Sequence, residues 1–135
     1  MYALVMPNAG FSLNDGSDNS IVGNICLNNS AGKPGAYPGI LLQNVNGMTV
    51  SANRCVDDRQ APAQSFGIEE TGSIDVNLVM GNHCRGNVGG GIRLIGKASL
   101  AFGNHERVCV SRLTAGRTEV AFLCMEEYVV GSSQA

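Results

Sequence analysis

The sequence predicts an all-β solenoid of about four coils with caps at both ends. Three observations predict it. Asparagine recurs at 24, 53, 82 and 104, each time after a small residue, in SIVGNIC, TVSANRC, LVMGNHC and LAFGNHE. A glycine followed by an apolar residue recurs in step, as Gly10-Phe11, Gly39-Ile40, Gly67-Ile68 and Gly91-Ile92. The apolar residue precedes its asparagine by 13, 13, 14 and 12 positions, so the two marks share one period of 22 to 29 residues. Between them run short stretches of Val, Ile, Leu and Thr broken by Gly and Asn, with no helical spacing of apolar residues. A strand-rich repeat of this length stacks coil on coil, because no single unit can bury its own apolar face.

In chain order, residues 1–9 begin with MYALVM, apolar enough to cover the first coil or form a partial one, and we read them as an N-terminal cap. A bare solenoid end exposes unpaired strand edges. The repeats occupy residues 10–106. In the strand before each asparagine, Ile21, Val50, Val79 and Ala101 form one column, and Gly23, Ala52, Gly81 and Gly103 another. Both columns are expected inside, on alternation and on their apolar or small character. The intervening Val22, Ser51, Met80 and Phe102 are mixed, as on an outer face. The asparagine is expected at a bend, in left-handed backbone conformation, bonding its counterparts above and below as a ladder.

Cys26, Cys55 and Cys84 follow the asparagine by two residues and share one register, which reads as a buried stack of small thiols. The total of five cysteines is odd, against a complete disulfide framework, and no pair of C-x-x-C turns suggests a metal site. The strand at the glycine mark should turn its first and third residues inward: Phe11, Ile40, Ile68 and Ile92, then Leu13, Leu42, Glu70 and Leu94. Glu70 breaks this pattern, and a local bulge turning it outward is the expectation, since a core carboxylate must otherwise be paired. The residue between faces out, which sets Glu69 beside Arg93 one coil on, as an ion pair.

Length variation is confined to the segments between the cysteine and the next glycine mark, NNSAGKPGAYP (28–38), DDRQAPAQSF (57–66) and GNVGG (86–90). Such loops on one side of a regular stack are where a binding surface is usually found. After Asn104 the pattern fades. RVCVSRL (107–113) suits a strand, and TEVAFLCMEEYVV (118–130) fits a short helix or a strand. Cys109 and Cys124 fall out of register, and residues 107–135 are read as a C-terminal cap.

Units of the form hydrophobic-x-G-N-x-C, turn, x-G-I resemble the right-handed parallel β-helix repeats of the pectate-lyase-like superfamily, which includes polysaccharide lyases, polygalacturonases, alginate epimerases and phage tailspikes. The resemblance covers about residues 10–106 and implies a right-handed parallel β-helix. Its enzymes place acidic residues with Arg or Lys on one exposed sheet. The nearest group here is Asp57, Asp58, Arg59, Glu69, Glu70 and Arg93. Asp57-Asp58 beside Arg59 also reads simply as a solvated turn. The polygalacturonase-like strings N-T-D, G-H-G and R-I-K and the epimerase-like D-P-H-D do not occur.

Other functions are bounded by composition. With formal net charge −2 and no clustered Lys or Arg in sequence, nucleic acid is not an expected partner. No apolar run is long enough to span a membrane, and MYALVMPNAG lacks the basic region of a secretion signal. The expected setting is cytoplasmic, or else the chain is an excerpt of a secreted or virion protein. His83 and His105 share an outward column with Arg54, and surface stacking is expected there in place of a metal. Sugar platforms need aromatic faces, and the chain has no Trp; Tyr37 and Phe66 stand in the variable loops.

The sequence therefore predicts a non-catalytic module that binds a glycan or a partner protein through Tyr37, Asp57, Asp58, Phe66, Glu69 and Arg93, with no cofactor and no metal. A shortened polysaccharide-active enzyme and a tailspike-like assembly segment, with homo-oligomerisation, are the alternatives.

Overall fold

A computed structural model describes residues 1–107, and no helix occurs among them. The strands are β1 (Tyr2–Leu4), β2 (Phe11–Ser17), β3 (Ser20–Val22), β4 (Ile25–Leu27), β5 (Ile40–Asn46), β6 (Thr49–Ser51), β7 (Arg54–Val56), β8 (Phe66–Thr71), β9 (Leu78–Met80), β10 (His83–Arg85), β11 (Gly90–Arg93), β12 (Leu100–Phe102) and β13 (His105–Arg107). The chain visits three sheets in turn. Sheet A is β1-β4-β7-β10-β13, sheet B is β2-β5-β8-β11 and sheet C is β3-β6-β9-β12. Every pairing is parallel. An all-β arrangement of three parallel sheets, each taking one strand from every repeat, is compatible with a parallel β-solenoid.

The register places matching residues over one another. Ile21 pairs with Val50, Val50 with Val79 and Val79 with Ala101. Phe11 pairs with Ile40, Ile40 with Ile68 and Ile68 with Ile92. On sheet A, Ala3 pairs with Cys26, Cys26 with Cys55 and Cys84 with Glu106. The interior is the meeting of these files, with Ile40, Leu42, Val50, Cys55, Ile68, Val79 and Cys84 fully buried. Each large aliphatic side chain so enclosed contributes about 1.5–3 kcal/mol.

The two sequence marks share a period because they are two sides of one contact. A Cβ at Gly67 would lie 2.6 Å from the Cβ of Cys84, and one at Gly39 would lie 3.1 Å from the Cβ of Cys55. Sheet B can approach the thiol file this closely only where it has no side chain.

Two expectations about the corner between sheets C and A are corrected. Gly23, Ala52, Gly81 and Gly103 are exposed, and they carry the left-handed backbone, with φ of 72°, 55°, 65° and 66°. The asparagine after them is the residue that turns inward, Asn53 and Asn82 being 2% exposed. Small size in that column reflects backbone conformation, not packing. A Cβ at Gly81 would meet nothing within 4 Å, so Gly81→Ala carries backbone strain alone. Its expected cost is about 1–2 kcal/mol, with Ala52→Gly stabilising in the opposite sense. Thermal melts of both variants check this, and a clash-based account would instead leave Ala52→Gly neutral.

The ladder itself is present. Oδ1 of Asn53 accepts from the N–H and Nδ2 of Asn24 at 2.9 and 3.0 Å. Asn82 does the same for Asn53, both at 2.9 Å, and Asn104 for Asn82 at 2.9 and 3.0 Å. The expected strand and helix readings beyond β13, with Cys109, Cys124 and nearly all of the C-terminal cap, lie outside the described residues.

Candidate functional site

The variable segments form the corner between sheets A and B, and a second polar ladder holds them in a stack. Asn29 donates from its N–H and Nδ2 to Oε1 of Gln64 at 3.1 and 3.0 Å, and Nε2 of Gln64 donates to Oδ1 of Asn87 at 2.6 Å. All three are buried. Backbone bonds join the loops as well: Ser65 N–H to Tyr37 O at 2.9 Å and Val88 N–H to Gln64 O at 2.8 Å. The loops are thus a continuous wall beside sheet B. Sequence reasoning missed this ladder because its members are 35 and 23 residues apart, out of step with the main period.

Asp57 and Asp58 part company in the structure. The residue Asp57 is 3% exposed and its carboxylate is taken up by its own loop. One oxygen accepts from Ala63 N–H at 2.8 Å and Gln64 N–H at 2.7 Å, and the other from Arg59 N–H at 3.1 Å and Arg59 Nε at 2.9 Å. Arg59 then reaches Asn29 O at 2.8 Å. The reading of this dipeptide as a solvated turn is therefore corrected for Asp57, since an exposed turn would leave those oxygens to water. Burial works against the charged carboxylate, but the Arg59 side chain and the three loop N–H groups outweigh it and hold its pKa below the usual value. Asp58 is exposed and exchanges two bonds with Asn28, at 2.8 and 2.9 Å.

Three residues on the outer side of sheet B come together. Arg93 and Glu69 are register partners in β11 and β8, and Nη1 of Arg93 lies 2.7 Å from Oε2 of Glu69. The Arg93 guanidinium also stands 5.9 Å from the centroid of the Phe66 ring. The ring lies against Gly89, where a Cβ would come within 2.8 Å of it, and in ordinary contact distance of Gly90. With the Arg93 side chain 51% exposed, the ion pair contributes about 0–1 kcal/mol to stability. It sets an exposed cation beside a largely covered anion and a half-buried aromatic ring. Tyr37 is half-buried at the corner on the preceding rung, its N–H donating to Ser30 Oγ at 3.1 Å.

Glu70 does not turn outward. It is fully buried in the inward column with Leu13 and Leu42, and no bulge removes it. Its carboxyl group accepts from Asn77 Nδ2 at 2.9 Å, Ser99 Oγ at 2.6 Å, Ile95 N–H at 2.7 Å and Gly96 N–H at 2.8 Å. Four donors satisfy the buried oxygens, so Glu70 fastens the β11–β12 connection to the core. Asn77 in turn accepts from Met48 N–H at 2.8 Å, tying in a third corner.

The rings of His83 and His105 are stacked, with centroids 4.6 Å apart at an interplanar angle of 16°. No group of three or more His, Cys, Asp or Glu suited to a metal occurs among the described residues. Glu106 occupies the cysteine position of its rung and accepts from Ile92 N–H at 3.0 Å. Burial raises its pKa, with that N–H pulling the other way. No helix among the described residues is long and apolar enough to cross a membrane. Comparison with protein-family models, with curated proteins and with solved structures found no match to this chain.

Proposed function

We propose that the chain is a right-handed parallel β-helix of about four coils, and that it is a non-catalytic module binding a glycan or a partner protein on its loop-bearing side. The observation that carries this reading is the contact of the half-buried Phe66 and Glu69 with the exposed Arg93 beside the loop wall. An aromatic face flanked by a charged hydrogen-bond donor and acceptor suits a hydroxylated ring, which offers apolar C–H faces and polar edges. Tyr37 extends the same corner, and Asp58 adds a carboxylate on its sheet A side. The absence of a catalytic role is supported by Asp57, whose oxygens are committed to Arg59, Ala63 and Gln64. A carboxyl group held in this way is not free to exchange a proton with a substrate.

Binding to a glycan array tests the reading. Phe66→Ala is expected to weaken any carbohydrate signal by about tenfold, as loss of a stacking face of roughly 1–1.5 kcal/mol would do. Tyr37→Ala should act in the same direction. New unsaturated or reducing products from uronic-acid polymers would replace this reading with the enzymatic one.

A further inference from the structure

The outer face of sheet A carries a second surface, distinct from the loop-bearing side. Ala3, Cys26, Cys55 and Cys84 point inward, so alternation turns the residues flanking them outward, with the exception of Val56, which is 1% exposed and lies covered. One outward column runs Tyr2, Ile25, Arg54, His83 and His105 in register. Leu4 and Leu27 begin the column beside it, and Arg85 stands next to His83, donating from Nε to its Nε2 at 3.1 Å. Tyr2 and Leu4 are 74% and 48% exposed, and Arg54 and His105 are exposed at the other end. Neither Arg54 nor Arg85 forms an ion pair among the described residues. The face is therefore apolar over its first rungs and cationic over its last, in a chain of net charge −2. No stretch of sequence shows this, because the cations are brought together only by the register.

We infer that this face docks an extended segment of a partner protein, apolar at one end and acidic at the other, lying along the stacking direction. Charge complementarity selects carboxylates opposite Arg54 and Arg85. The apolar rungs select a polypeptide over an acidic glycan or a nucleic acid, whose backbones carry anions throughout and offer no aliphatic side chains to Tyr2, Leu4 and Ile25. Five strands span four rung steps of ~4.8 Å, about 19 Å, the length of roughly six extended residues.

Fluorescence anisotropy on the full chain tests this with a labelled synthetic peptide, a run of leucine and valine followed by a run of glutamate. The peptide is expected to bind, and to weaken as salt rises toward 1 M, where screening shortens to about 3 Å. Arg54→Glu is expected to weaken it by about tenfold and Arg54→Lys to restore it. Tyr2→Ser should weaken it without changing the salt response. Both sites are exposed, so unchanged thermal melts would separate lost binding from lost fold. Equal binding of a peptide with lysine in place of glutamate would overturn the inference. So would an absence of peptide binding, or Arg54-dependent binding of polygalacturonate or single-stranded RNA in its place. Phe66→Ala should leave peptide binding unchanged, so this inference and the loop-side reading fail or stand separately.

Discussion

Replacing Glu70 by leucine is expected to destabilise the protein by about 3–5 kcal/mol, although leucine is what its neighbours in the column carry. Leu13 and Leu42 are the register-related residues, and a side chain of that shape would fit the file. The cost arises from the donors left behind. Asn77 Nδ2, Ser99 Oγ and the N–H groups of Ile95 and Gly96 all converge on the carboxyl group. Each buried donor without an acceptor costs about 1–3 kcal/mol, and the partly exposed β11–β12 loop can recover some of this by turning to water. Glu70→Gln should fall between wild type and Glu70→Leu, because an amide keeps one accepting oxygen and sets an N–H₂ against the other donors. Chemical denaturation of the three proteins measures the series. A leucine variant as stable as wild type would mean that the polar contacts contribute nothing net.

Asp57→Ala is the second large effect, expected at about 3 kcal/mol. It would strand the N–H groups of Ala63 and Gln64, which are buried. Arg59 is partly exposed and can turn to solvent, so its share of the loss is small. The same contacts predict a pH dependence. Because the folded-state pKa of Asp57 is held below its ordinary value of 3.8, the folded state binds that proton less readily than the unfolded chain. The stabilisation is therefore fully present above the ordinary carboxylate range and is lost as pH falls through 3.8 toward the depressed value. Melting temperature followed from neutral pH to about pH 3 should fall more steeply for wild type than for Asp57→Ala. Parallel curves would remove Asp57 as the cause.

Much of the interior was legible because a parallel register repeats residue types. The thiol file, the inward Ile40 and Leu42, the Glu69–Arg93 pair, the asparagine ladder and the stacked histidines all follow from laying one repeat on the next. The misreading of the turn column has one cause, which is that alternation fails at a corner. Gly81 takes a positive φ there, so the residue expected inside faces out and Asn82 takes its place. Glu70 was misplaced because its partners come from residues 77, 95, 96 and 99, which no local pattern links to it. Of the six surface residues proposed from sequence, Phe66, Glu69 and Arg93 meet. Asp57 is claimed by its own loop, and Asp58 and Tyr37 stand apart from that contact. Loop length hid the Asn29–Gln64–Asn87 ladder in the same way that it hid the fate of Asp57.

The parallel pairing of every strand also determines how the molecule would respond to force. Bonds between rungs point along the stacking direction, and only one rung's worth of them secures each coil to the next. Tension applied along the stack of described rungs is carried by every interface in series. The end rungs, paired on one side only, are expected to part first. Rupture proceeds as peeling, one coil per event at a modest and recurring load, without the single high peak of a fold whose terminal strands are sheared past each other.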